Sequence, residues 1–387
     1  MTQTNSKYIA LLSLPAIALA SCGSTNSGDT QSASADVSIA TEAMGEFDRP
    51  WAIAFAPGTK TVFLTEKAGT MKFVDTATGR TGTVTGVPEV DYGGQGGFGD
   101  VAFLPSEASD TLDRRTIYLS WAEAGDGDTR GAVVGRGTLI CEEADACRIE
   151  GLDVIWRQAP KVTGRGHYSH KIAFSPDEQY LFIASGDRQK LEPAQDNSNT
   201  LGTVVRLNLD GTPAAGNPFA DQAAPTNQIW SYGHRNVLGL QFAPDGSLWD
   251  LEHGPAGGDE LNRVEMGVNY GWPTVSDGDH YNGDPIPDHN TRPEFRTAAI
   301  GWTPVIAPGD FIFYTGDTFA GWKGDVLAAG LSSNAIIHVT IDGDKATEVA
   351  RHDFGARLRD IAQGPDGNVW VIEDGEGGKL IKVSPAA

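Results

Sequence analysis

Along most of this chain short apolar runs alternate with turns rich in Pro, Asp and Gly. One arrangement keeps returning: an apolar run, a proline-centred turn, a second apolar run, then a small or charged loop. In this way Ile53–Pro57 leads to Val62–Leu64, and Val101–Pro105 to Ile117–Leu119. Ile172–Asp177 leads to Leu181–Ile183, Leu240–Gly246 to Leu248–Trp249, and Ile361–Gly367 to Val369–Ile372. The Asp-Gly that follows several of these prolines marks a turn between antiparallel strands, because both residues tolerate the backbone that a tight reversal needs. Trp322–Asp325 followed by Val326–Ala329 reads as a degenerate copy. The copies make about six units at a period of roughly 50 to 70 residues, longer than a minimal propeller blade and so leaving room for long loops. The pattern predicts an all-β chain, a six-bladed β-propeller occupying 37–387 as one domain. Val37–Ile39 would add a strand to the last blade beside Lys379–Val383, which removes a sheet edge. The polar stretch from Asn269 to Thr303 reads as an inserted loop rather than a domain.

Composition agrees with many short strands: 48 glycines and nine tryptophans in 387 residues, with few long helix-period stretches. The 29 basic against 51 acidic residues, a formal net charge of −22, argue against nucleic acid or an anionic membrane surface as partner. The first residues stand apart from the fold. Lys7 is followed by an apolar run, Ile9–Ala20, too short to remain in a bilayer as a spanning helix, and then by small residues, as in an export signal. Leu19-Ala20-Ser21-Cys22 resembles the lipobox of bacterial lipoproteins, which implies a signal over 1–22 with lipidation at Cys22. A plain cleaved signal is the alternative. Residues 23–36, made of Ser, Thr, Gly, Asn and Gln with little else, read as a flexible tether. The expected location is therefore the periplasmic side, with contact to a bacterial membrane only through the lipid anchor. The other two cysteines, Cys141 and Cys147, lie six apart and are expected to pair in such an oxidising compartment, two free thiols being the alternative.

Four loops carry candidate chemistry. Gly93–Asp100 sets Gln95 alone among glycines that let a ligand approach the backbone. Gly164–His170 precedes a strand and holds two histidines, either of which could be a general base, since a neutral imidazole near its own pKa can take a proton from a hydroxyl. Spacing does not choose between His167 and His170. Gly233-His234-Arg235-Asn236 puts a fixed cation beside an amide, and Glu252–Glu260 offers exposed carbonyls and carboxylates suited to a hard cation. In Gly355–Asp360, Arg357 and Arg359 are two apart and face the same way on extended backbone. Two guanidinium groups on one face match a carboxylate or phosphate, the competing reading being a solvated basic edge neutralised by Asp360.

The motifs RPWAIAF, GQGGFGDVAF, GHRN, EHGPAGGDELN, NYGWP and RLRDI, in this order between Arg49 and Ser384, resemble the soluble pyrroloquinoline-quinone (PQQ)-dependent aldose sugar dehydrogenases, relatives of soluble quinoprotein glucose dehydrogenase and of the sorbosone dehydrogenases. The resemblance implies a six-bladed propeller with PQQ over its channel. It implies oxidation of a sugar's anomeric hydroxyl to a lactone, with hydride passing to the quinone. By position, His167 would be the general base and Arg235 the group that polarises a quinone oxygen. Gln95, Asn236, Arg357 and Arg359 match cofactor-binding positions, the two late arginines meeting quinone carboxylates. Gly254 and Pro255 match backbone ligands of the calcium ion that clamps the quinone, and Glu260 and Tyr270 a second, structural calcium site. Two departures stand out. Ser332 and Ser333 follow Gly330-Leu331 where the family often has a lysine that contacts the quinone, and Gly166 replaces the aspartate found before the histidine in glucose dehydrogenases. The second points to the broader aldose branch. Two rival readings are a calcium-dependent propeller lactonase, using Glu252, Asp259 and Asn236 to hold a metal that activates water, and a propeller that binds its ligand without chemistry. Neither the particular aldose nor the electron acceptor is written in these motifs.

Overall fold

The computed structural model describes residues 37–386; the expected signal, tether and Cys22 lie outside the described residues. The chain is all-β, with four short 3-10 turns and no α-helix among the described residues. Four sheets have four strands each, and an eight-stranded sheet consists of two further four-stranded antiparallel sets joined by a short parallel pairing of Thr83–Thr85 with Ala146–Arg148.

In chain order the sets begin with the strands Pro50–Phe55, Phe98–Ala102, Ser169–Phe174, Val237–Phe242, Pro308–Phe313 and Leu358–Gln363. Each of the five clear turn copies supplies the first two strands of a set. Their second strands are apolar on both faces because each set is covered on both sides. Thr61–Glu66, for example, is buried at every position, whereas the outer strand Lys345–Asp353 is half exposed.

The apolar clusters show how the sets meet. One cluster joins Phe63 and Phe73 to Phe98 and Leu119, and the next joins Tyr118 and Trp156 to Leu181 and Val205. Others join Phe182 to Leu240, Trp249 to Phe311, and Trp322 to Val371. A last one returns from Trp370 and Ile372 to Ile53 and Leu64, so that the sixth set packs on the first and the sets form a closed ring. The strand Ile39–Asp48 pairs with Glu376–Pro385, so residues near the two ends of the described chain share one sheet. It begins at Ile39, the last of the three residues expected there, so Lys379–Val383 faces Thr41–Glu46 rather than Val37–Ile39. Bulges after Ala43 and Phe47 absorb the irregular pattern there.

Two expectations change. The first strand of the fifth set is Pro308–Phe313, and Val326–Gly330 is its second strand; a connection held by Tyr314, Phe319 and Trp322 stands where the short Pro-Asp-Gly turn would be, which hid the copy. The inserted loop ends in a strand, Ile300–Trp302, which pairs with Asp259–Leu261 and completes the fourth set. Cys141 and Cys147 are bonded to each other across the turn between Arg130–Ile140 and Ala146–Arg157.

At the centre of the ring the first strands converge on one ammonium group. Lys171 Nζ lies 2.9 Å from Asp100, 2.7 Å from Asp310 and 3.7 Å from Asp360. The carboxylates also accept backbone N–H groups: Asp100 from Ile172, Asp360 from Ile53 and Asp310 from Phe311. Burial alone would discharge Lys171, Asp100 and Asp310. Mutual attraction holds the ammonium well above its ordinary pKa, while Asp100 and Asp310 are raised by desolvation. Asp360 is thus committed to the ring's interior, and the carboxylate paired with Arg357 and Arg359 is Asp374.

Candidate active site

The loops that open from the inner strands bring the candidate residues to one mouth of the ring. A cavity of about 230 Å³ is lined there by Trp51, Lys67, Gln95, Asn236, Arg357 and Arg359, with His253 and Leu331 also on its wall. Arg357 Nε bonds one oxygen of Asp374 at 3.0 Å, and Arg359 bonds the other through Nε at 3.0 Å and Nη2 at 2.8 Å. The two guanidinium groups therefore share a face, as their spacing predicts, and Asp374 is the carboxylate between them. Burial lowers the Arg359 pKa and Asp374 opposes that shift. Arg359 also stacks 4.2 Å from the centre of the Trp51 ring. Lys67 reaches the same cavity from the first set, its Nζ 5.0 Å from that ring and bonded to the Gly94 carbonyl. Burial and the nearby Arg359 both lower the Lys67 pKa. Three cations against one aspartate leave this wall positive within a strongly acidic protein.

Tyr168, Ser169 and His170 also line this cavity, and His167, the next residue back in the chain, is buried. Its backbone N–H donates to Gln95 Oε1 at 2.6 Å, which joins the Gly93–Asp100 loop to the histidine loop. Its Nδ1 lies 2.7 Å from Asp187 Oδ1. Asp187 is fully buried and already accepts the Trp272 indole N–H at 2.8 Å and the Gln189 N–H at 2.8 Å. A carboxylate surrounded by donors fixes Nδ1 as the protonated nitrogen and leaves Nε2 as the basic one. Desolvation pulls the His167 pKa below its ordinary value; Asp187 opposes that shift and Arg235 adds to it. The ring is thus neutral at neutral pH. Both loops of this pair are held in the left-handed region away from glycine, at His167, Ser169 and His170 and again at Arg188 and Gln189. Such backbone persists where surrounding contacts over-determine it.

His170, the rival base, lines the cavity but meets different partners. Its Nδ1 is 2.7 Å from Ser120 Oγ, and burial, helped by Lys171, lowers its pKa to about 3. The ring packs directly on Gly99, where any Cβ would overlap it and the Ser120 hydroxyl. Gly99→Ala is therefore expected to destabilise the protein by about 1–3 kcal/mol, the usual cost of overpacking a filled core. A thermal melt would show this as a Tm several degrees lower.

Arg235 is held at several points. Its backbone N–H donates to Glu252 Oε2 at 2.7 Å, Nη1 to the His253 carbonyl at 3.0 Å and Nη2 to the Tyr281 hydroxyl at 3.1 Å. The guanidinium lies 5.1 Å from the Trp272 ring. Its Nε is buried without an acceptor among the described residues. An orphaned donor on a fixed arginine suits an oxygen supplied by a ligand. Behind it, His234 Nδ1 lies 3.1 Å from Asp250 and 3.2 Å from Glu252, a trio with metal-ligand chemistry. Burial works against charge on this imidazole, but the two carboxylates outweigh it and raise its pKa to about 10. The trio as it stands is an ion-paired support for Arg235. His253 Nε2 faces the Pro308 carbonyl at 2.8 Å, and burial together with Arg235 lowers its pKa to about 3.

Gly254 donates its N–H to Asp259 Oδ1 at 2.9 Å, and Asp259 Oδ2 accepts Ala307 N–H at 2.7 Å. Among the described residues no hydrogen bond ends on the Gly254 or Pro255 carbonyl, so both remain available to a hard cation. Asp259 and Glu252, the carboxylates a hydrolytic metal would need, are instead spent on backbone N–H groups and on His234. Glu260 and Tyr270 meet at a void of about 10 Å³, room for one ion or water, which Glu252, Ser276 and His289 also line. His289 Nε2 donates to the Tyr270 carbonyl at 3.0 Å, and its Nδ1 lies 3.7 Å from Glu260. This imidazole competes with a cation for both groups.

Lys67, Asp374 and Tyr281 carried no signal in the sequence, and Trp51 and Trp272 stood there only inside motifs, without a role. Asp187, also missed, lies two residues beyond the apolar strand Tyr180–Ser185, and a lone carboxylate just past a buried strand was the one available signal. Nothing local ties it to His167.

The Glucose / Sorbosone dehydrogenase family matches residues 47–382. The aldose sugar dehydrogenase YliI of Escherichia coli K12 is 35% identical over 345 residues, covering 88% of this chain and 91% of that protein. The crystal structure of the soluble aldose sugar dehydrogenase from Escherichia coli in its apo form superposes with a TM-score of 0.82 at 34% identity, over 90% of this chain and all of that one. The PQQ-bound aldose sugar dehydrogenase of Streptomyces coelicolor superposes with a TM-score of 0.71 at 25% identity, over 90% of this chain and 99% of that one. With a family match that spans nearly all the described residues, this chain belongs to the glucose/sorbosone dehydrogenase family.

Proposed function

We propose that the protein is a six-bladed propeller dehydrogenase that oxidises the anomeric hydroxyl of aldose sugars to lactones, with PQQ as electron acceptor and calcium as its clamp. The observation that carries this reading is the Asp187–His167 pair, tied through the His167 N–H to Gln95 on the wall of a cavity that Lys67, Arg357 and Arg359 also line. Supporting it are relatives named as aldose sugar dehydrogenases, one of them PQQ-bound. The closed ring of four-stranded sets supports the blade count.

The residues present fit the cofactor. Arg357 and Arg359 offer two planar forks to its carboxylates, Trp51 a flat wall, and Arg235 Nε an unused donor for a ring oxygen. Lys67 supplies an ammonium group where Ser332 leaves none, since Ser332 Oγ is turned to the Val305 carbonyl at 3.0 Å. The Gly254 and Pro255 carbonyls offer oxygen ligands to calcium. Bound there, PQQ would supply the two-electron acceptor that side chains lack.

The chain's own residues do the rest. His167 Nε2 takes the proton of the anomeric hydroxyl, and Asp187 holds the ring in the required tautomer and stabilises the imidazolium that forms. Arg235, rigid before the reaction, faces the oxygen where negative charge develops. Gln95 fixes the histidine backbone and presents its amide to the mouth of the site.

Sugar-dependent reduction of an artificial electron acceptor by metal-stripped protein tests the reading. Activity is expected only after PQQ and calcium are both added. No activity with any aldose, together with no quinone absorbance retained by the protein, would overturn it.

A further inference from the structure

Among the described residues Tyr281 is the most exposed large apolar side chain, at 75%, yet it is not free. Its hydroxyl accepts from Arg235 Nη2 at 3.1 Å, and its ring lies 5.8 Å from the same guanidinium. A short hairpin projects it: Gly278–Asp279 pairs with Ala256–Gly257, directly after Pro255, and His280, Gly283 and Asp284 close the turn through backbone hydrogen bonds. Single exposed aromatics are ordinary on protein surfaces. This one is anchored to an arginine of the site and forms one wall of a groove of about 570 Å³.

The groove is mainly apolar, lined also by Pro255, Ala256, Thr303, Pro304 and Val305, and it shares His253 and Ala307 with the cationic cavity. It is thus continuous with the place where the reaction would occur, but lies on the far side of the Gly254–Pro255 turn. Asp259 is the one acidic residue on its wall and is spent on the Gly254 and Ala307 N–H groups, at the end where the Gly254–Pro255 turn would hold calcium. What it offers is an aromatic face with a polar tip beside small apolar surfaces, which complements the C–H face of a pyranose ring.

We propose that this groove is a second sugar subsite, taking the non-reacting unit of a disaccharide or longer aldose whose reducing end lies at His167, with Tyr281 as the platform under that unit. The proposal rests on the dehydrogenase reading, and binding of non-oxidisable glycosides separates the two. Methyl maltoside and methyl glucoside lack the free anomeric hydroxyl, so calorimetric titration of the protein loaded with PQQ and calcium reports affinity whether or not the protein turns over sugar.

The wild type is expected to bind methyl maltoside about fivefold tighter than methyl glucoside, the scale of one aromatic stacking contact. Tyr281→Ala, and Val305→Trp, which fills the groove, should each bring the two ligands to equal affinity. Tyr281→Phe should keep the preference, because the ring remains although the bond to Arg235 is lost. Equal affinity in the wild type would overturn the proposal. So would a Tyr281→Ala variant that weakens both glycosides by the same factor, a result that would assign Tyr281 to holding Arg235. Absence of dye reduction by a wild type that still prefers the disaccharide would count against the dehydrogenase reading and leave the subsite standing.

Discussion

His167→Gln is expected to lower kcat for sugar-dependent dye reduction by about a thousandfold, the scale of a lost general base, while the half-saturating PQQ concentration stays within about twofold of wild type. Glutamine keeps a polar side chain of similar reach but has no basic nitrogen. The backbone bond to Gln95 does not depend on the side chain, so the loop should stay in place. Asp187→Asn is the companion variant. It removes the acceptor that holds the Nδ1 proton, and kcat should fall by on the order of 10²–10⁴ through the wrong tautomer.

The pH profile separates a base from a merely structural histidine. In the wild type kcat/KM should fall as pH drops through the His167 pKa, because only the neutral ring accepts a proton. Burial places that limb below the ordinary value of 6.5. Asp187 is the group that opposes this depression, so Asp187→Asn should move the limb to still lower pH even as the rate falls. A His167→Gln variant with normal kcat but impaired quinone binding would reassign His167 to the cofactor wall.

Arg359→Ala should raise the PQQ concentration needed for half-maximal activity by about 10- to 100-fold, the worth of a hydrogen bond to a charged group. The side chain is the more buried of the late arginine pair, with 11% of its surface exposed against 51% for Arg357, so water cannot replace its contribution. Its loss also uncovers the Trp51 face and leaves Asp374 with only Arg357. Arg357→Ala should act in the same direction with a smaller effect, since an exposed ion pair contributes little. Quinone binding followed by absorbance, without sugar, checks this independently of turnover. Unchanged binding in Arg359→Ala would remove the carboxylate clamp from the account.

Several features were readable without coordinates because they are local. The Pro-Asp-Gly turns flanked by apolar runs mark hairpins, and their repetition marks a fold made of similar units. Arg357 and Arg359 face the same way because extended backbone has a period of two. The Cys141–Cys147 pairing follows from a short spacing. Where the local signal faded, so did the reading. Pro308–Phe313 lacks a tight turn after it, and Ile300–Trp302 lies at the end of a long polar stretch, so the fifth set was partly misplaced and the fourth incomplete.

The sequence by itself determined the hairpins, the all-β class and the loops in which reactive side chains are gathered, since each rests on neighbours along the chain. Only the tertiary structure shows how the surroundings of His167 and His170 differ. The difference lies in what each ring meets across the ring of sheets: a buried carboxylate twenty residues on for one, and Ser120 with Gly99 for the other. The same holds for Lys67, Asp374 and Tyr281, which come from three different loops and converge only when the inner strands close around Lys171. Closure brings together residues that sequence separation keeps apart. No period or motif encodes which of them will meet.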